Sequence, residues 1–86
     1  MIKLPIKKQY GSFHIIAGSF RLEENSLKLV SQLKEKGFIE SRKVGINKFG
    51  LFQVAYNSYD NVEEARSALD KIRSSEDINA WLLVKN

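Results

Sequence analysis

The sequence holds no cysteine and, among its 86 residues, only one histidine, one proline, one tryptophan and one methionine. Without cysteine there is no disulfide and no thiolate metal site. A single histidine, His14, supplies no cluster of the kind that metal centres are built from, and it stands without a cysteine nucleophile. The carboxylates gather where structure explains them, in the first turns of two helical stretches (Glu23 and Glu24, Glu63 and Glu64) and in a loop at Glu76-Asp77. None reads as a pair flanking a cleft, as glycoside cleavage requires. The junction Ala17-Gly18-Ser19-Phe20 has one glycine and is no phosphate-binding loop. These absences point away from an enzyme and call for no cofactor or metal.

Long apolar runs are missing as well. Nothing approaches the roughly 20 residues of a membrane span, and Pro5 and Lys7 interrupt any signal-peptide core at the N-terminus. The expectation is a domain that meets a membrane only through an anchor elsewhere in a parent protein.

What remains is an ordinary globular composition, 43% hydrophobic and 28% charged, with a net charge of +4. A bias this mild suits an acidic glycan or a polyanion without selecting either. Residues 1–12 read as an extended linker, carrying Lys3, Lys7 and Lys8 and broken by Pro5 and Gly11. The domain proper is expected over 13–86.

Phe13–Ala17 is β-branched and aromatic and reads as a buried strand closed by Gly18-Ser19. From Glu23 to Lys36, Leu22, Ser26, Leu29, Val30 and Leu33 recur at helical spacing, and Gly37 stands where a left-handed cap is usual. Phe38–Ile46 reads as a strand whose Glu40, Arg42 and Lys43 suit a sheet edge. Asn47–Gly50 reads as a turn and Leu51–Tyr56 as a further strand. Asp60 and Glu63 suggest a capping box for a second helix buried through Val62, Ala65, Ala68, Leu69 and Ile72. Arg73–Asp77 reads as a loop and Ile78–Lys85 as the last strand. A weak internal repeat at an offset of 39 residues aligns Ser19-Phe20 with Ser58-Tyr59 and Glu24 with Glu63.

The order β-α-β-β-α-β, in two related halves, predicts an α+β, ferredoxin-like (RNP-like) fold, a four-stranded antiparallel sheet with two helices on one face. Strict alternation turns Phe13, Ile15, Ala17, Phe52, Val54, Tyr56, Ala80, Leu82 and Val84 toward the helices. It leaves His14, Ile16, Gly18, Leu51, Gln53, Ala55, Trp81 and Leu83 on an uncovered face. Large apolar groups on such a face mark a binding surface, unless the N-terminal segment or a second copy covers them. An RNA-recognition domain shares this strand order, but its stacking aromatics have no match here, because Phe52 and Tyr56 fall on the helix side. A protein–protein module using the same face is the other alternative.

Six segments in order resemble the SPOR domain family: Phe13–Phe20 with its Gly-Ser-Phe ending, Leu33–Phe38, Gly50–Val54, Ser58-Tyr59, Glu63–Ala65 and Ala80–Val84. The resemblance implies a non-catalytic, periplasmic or cell-envelope module that binds peptidoglycan, namely glycan strands denuded of stem peptides at the division septum, with no nucleic-acid partner. It implies glycan contacts at His14, Ile16 and Ser19 on the first strand, Leu51 and Gln53 on the third, and Trp81 on the fourth. Many family members carry glutamine where this chain has Ile16.

Overall fold

The structure, a computed structural model, describes residues 11–85. The expected linker therefore lies outside the described residues, apart from Gly11 and Ser12. Six elements follow in the expected order: β1 (Phe13–Phe20), α1 (Glu23–Glu35), β2 (Arg42–Ile46), β3 (Phe52–Tyr59), α2 (Val62–Ser75) and β4 (Trp81–Val84). The strands form one antiparallel sheet in the order β2-β3-β1-β4, with the two long strands in the centre.

Local chemistry sets the boundaries. Helix α1 begins without a side-chain cap and relies on Glu23 and Glu24 in its first turn and Lys34 in its last, each favoured by the helix dipole. It ends at Gly37, whose φ of +107° only glycine adopts at little cost. There the Phe38 and Gly37 amides donate to the Leu33 and Lys34 carbonyls at 2.9 and 3.0 Å. This is a Schellman closure, and it folds Phe38 back onto the core beside Leu33. Helix α2 is capped by Asn61 rather than by the expected Asp60–Glu63 box. Asn61 has extended backbone angles, and its side-chain oxygen accepts from the Glu63 and Glu64 amides at 2.7 and 3.1 Å. The helix also runs on through Arg73–Ser75, which the sequence suggested as loop. Strand β2 starts only at Arg42, β4 only at Trp81, and β1 and β3 run on to Phe20 and Tyr59. In the β2–β3 turn, Asn47 Oδ1 accepts from the Phe49 and Leu51 amides at 2.9 and 3.0 Å.

One side of the sheet is packed by the helices. Ile15, Leu33, Val54, Tyr56, Leu69, Ile72 and Ala80 form the buried cluster, with Ala17, Phe20, Leu29, Val30, Phe38, Tyr59, Ala68 and Leu82 packed around it. Phe13 and Phe52, expected deep in this core, are half-buried. Val84, also expected there, is 54% exposed because it ends the short edge strand. Phe38 meets Tyr56 edge-on, with ring centroids 4.8 Å apart. The Tyr56 hydroxyl donates to Asp77 at 3.2 Å. Burial, then the neighbouring Asp77 charge, pushes its pKa well above the usual phenol value, so the hydroxyl stays protonated as a donor.

Candidate functional site

The face of the sheet away from the helices is assembled by two register shifts between β1 and β3 and a third, at Val44, between β2 and β3. Phe13, His14 and Ile15 pair with Tyr59, Ser58 and Asn57; the ladder then skips Tyr56, pairing Ile16 with Ala55. It next skips Ala17, pairing Gly18, Ser19 and Phe20 with Val54, Gln53 and Phe52. Each skip exchanges the faces of the residues beyond it. Ala17 and Tyr56 occupy equivalent positions in the 39-residue repeat, so the two halves of the chain kink where they face each other.

The shifts overturn part of the face assignment from alternation. Gly18, expected on the open face, lies on the helix side: a Cβ there would meet Leu29 Cδ2 at 3.3 Å. Ser19, which strict alternation turns toward the helices, instead shares the open face with Gln53. Ser58 joins that face beside His14.

Cross-strand pairs now define three rows. Arg42, Ala55, Ile16 and Trp81 run side by side across all four strands. Ser58, His14 and Leu83 form the row on one flank, and Gly45, Gln53 and Ser19 the row on the other.

This face is less open than the sequence implied. Ile16 is 1% exposed, Ala55 0%, Gln53 3% and His14 7%. One cause is visible in Lys85, which follows β4 directly. Its Nζ donates to the Val44 carbonyl of β2 at 2.8 Å, joining the two edge strands across the open side. A lysine side chain is far shorter than a flat four-stranded sheet is wide, so the sheet curls into a trough. Gly45 belongs to that closure, since a Cβ there would stand 2.6 Å from Lys85 Nζ. The expected broad apolar patch of Ile16, Leu51, Leu83 and Trp81 is thereby reduced. Trp81, 40% exposed, is the large apolar side chain that still reaches solvent, with Leu51 and Leu83 half-buried.

Of the six residues suggested by the sequence, Ser19 and Trp81 are exposed, Leu51 is intermediate, and His14, Ile16 and Gln53 lie in the floor. Arg42, Ser58 and Lys85 belong with them. Arg42 donates from one nitrogen to the Glu40 carbonyl at 3.0 Å and from another to Ser58 Oγ at 2.5 Å. Ser58 Oγ in turn lies 2.6 Å from His14 Nδ1. The Ser58 hydroxyl, with one donor and two acceptor sites, thus links the guanidinium of Arg42 to the His14 ring. The His14 pKa is lowered first by burial, then by the charges of Arg42 and Lys85. The sequence suggested Arg42 as an edge charge, whereas it turns onto the open face. Lys43 is the residue left on the helix side, paired with Glu23 of α1. The repeat offered the one signal that could have found Ser58, because it aligns with Ser19.

No strand carries an acidic residue. Among the described residues no group of histidine, cysteine and carboxylate side chains could hold a metal, and no helix is long and apolar enough to cross a membrane.

A two-layer βαββαβ domain whose open face runs from Arg42 on one edge to the exposed Trp81 on the other presents a surface of the kind that binding modules use. The chain matches the SPOR domain family over residues 9–83 and belongs to it, a family of peptidoglycan-binding modules. Comparison with curated proteins and with solved structures found no match.

Proposed function

We propose that this domain binds the glycan strands of peptidoglycan in the trough of its open face, favours strands denuded of stem peptides, and so directs a parent envelope protein to the division septum. The observation that carries the reading is the central row, in which Trp81 stands at one wall and Arg42 at the other over a floor of Ile16 and Ala55. The apolar C–H face of a pyranose stacks on the indole, a large rigid surface exposed on one side. Ser19 at the rim and the polar groups of His14 and Gln53 beneath it supply hydrogen bonds to hydroxyl and acetamido groups. A groove this shallow gives modest affinity, since much of a bound sugar stays hydrated. Single-stranded RNA is the poorer fit. Its readers stack bases on aromatics of the two central strands, where the open-face residues of this chain are His14, Ile16, Ser19, Gln53, Ala55 and Ser58.

A pull-down with purified sacculi tests the reading. Limited amidase treatment, which removes stem peptides, is expected to increase retention of the domain. Equal retention before and after treatment would refute the preference for denuded strands, and no retention at all would refute peptidoglycan binding.

A further inference from the structure

We infer that the outer edge of β4 pairs with the same edge of a second copy of this chain, joining two domains antiparallel into one continuous sheet.

The ladder shows which backbone groups that edge offers. β4 ends the sheet, held by β1 on one side, and among the described residues no strand pairs its other side. The Lys85 amide donates to the Ser12 carbonyl at 2.8 Å, so Ser12 and Lys85 form a bonded pair that continues the register of Phe13 with Val84. Bonded and non-bonded pairs alternate in an antiparallel ladder. The backbone groups of Trp81, Leu83 and Lys85 therefore face β1, and those of Leu82 and Val84 face outward. Ala80 also faces outward by this count, but it has local partners. Its amide donates to the Asp77 carbonyl at 3.1 Å, and its carbonyl accepts from Arg73 Nε at 2.8 Å. The outer edge of β4 thus offers the amides and carbonyls of Leu82 and Val84, two residues apart.

That set is self-complementary. About a twofold axis through Leu83, Leu82 of each copy meets Val84 of the other, and every outward amide finds an outward carbonyl. Leu83 faces Leu83 of the second copy at the axis, a non-bonded pair with Cα atoms ~4.5 Å apart. Leu82 and Val84 share one side of the strand, so this register keeps both helix layers on one side and both troughs on the other.

The side chains agree with the backbone. Trp81-Leu82-Leu83-Val84 holds no charge, proline or bulge, the devices that keep sheet edges apart. Val84 is 54% exposed, and Ile78, just before the strand, 73%. The opposite edge is blunted, since β2 carries Arg42 and Lys43 and shifts register at Val44. Lys85, which follows β4, is turned across the open side to Val44. Four residues at ~3.3 Å each make an edge roughly 13 Å long, too short to bury the ~800 Å² per partner of a standard interface. Pairing is therefore weak and expected at about hundred-micromolar to millimolar protein. Two troughs on one side of a joined sheet would hold a repeating polymer together, through effective concentration.

Amide hydrogen exchange of the unaltered domain, read by NMR at about 50 µM and about 2 mM, tests this pairing. Exchange at Leu82 and Val84 is expected to slow about threefold or more at the higher concentration, with amides of the β2–β3 turn unchanged. Leu83→Lys and Leu83→Glu each place like charges at the axis and should abolish the slowing, and an equal mixture of the two should restore it. Equal exchange at Leu82 and Val84 at both concentrations overturns the pairing and leaves the glycan reading untouched. Slowing that persists in either folded charged variant alone, or that their mixture fails to restore, overturns it as well. The concentration comparison needs no substitution, so it survives a variant that fails to fold.

Discussion

Ile16→Gln introduces the residue that many SPOR domains carry at this position, and it separates the two views of the open face. On a truly uncovered sheet the change would be nearly silent, since surface substitutions usually stay within about 0.5 kcal/mol. Here Ile16 is 1% exposed, packed in the central row between Ala55 and Trp81. Fully burying an isoleucine contributes about 1.5–3 kcal/mol. A glutamine in its place gives up most of that, and its amide adds about 1–3 kcal/mol if left without a partner. Arg42, in the same row, and Gln53, in the next, are the groups that could meet it, and they keep the total near 2–3 kcal/mol. At about 4–8 °C per kcal/mol for a domain of this size, melting is expected to fall by roughly 10–20 °C. Urea and thermal unfolding, followed by circular dichroism, measure this directly. A melting temperature within 2 °C of the parent would refute the closed trough and return Ile16 to a solvent-facing surface.

Trp81→Ala removes an indole about three fifths covered. At ~25 cal/mol/Å² on a side chain of roughly 150–250 Å², its burial is worth at most about 2–4 kcal/mol. The variant should melt lower yet remain folded in the cold, and binding to denuded sacculi should nearly vanish; full-strength binding by the folded variant would exclude the indole from the site. His14 is the sole histidine, and its folded pKa lies below 6.5. The unfolded chain therefore takes up the proton first, and stability is expected to decline as pH falls below 6.5 through the folded value, with no change from this group above it. His14→Gln should remove that slope in urea midpoints taken between pH 7.5 and 5.5, and a parent domain equally stable at both ends would contradict the buried, neutral imidazole. Retention on sacculi should weaken only slightly between 50 and 200 mM salt, whereas a binder making 6–10 phosphate contacts loses roughly 10³–10⁵ in affinity over that range.

The amino-acid sequence by itself determined the order of the elements and the helix-packed side of the sheet, because those depend on periodicity and local chemistry. The 3.6-residue recurrence through Leu29, Val30 and Leu33, the positive φ required at Gly37, and the Asn47–Gly50 turn all act within a few residues. So does the burial of Ile15 and Val54, set by the alternation of an extended chain. Trp81 was legible as an open-face residue for the same reason. The tertiary structure alone decided the shape and charge of the site. Parity counting fails past a skipped residue, and the skips at Ala17 and Tyr56 exist only where β1 and β3 meet. They move Gly18 to the helices and bring Ser19 and Ser58 onto the open face. The curl that buries Ile16 and Gln53 likewise needs Lys85 to find Val44, 41 residues away in the chain. Arg42 reads as an edge charge in isolation and becomes a wall of the trough only through Ser58, 16 residues distant. Contacts at such separations depend on how the strands twist and pair, and no local pattern of residues encodes them.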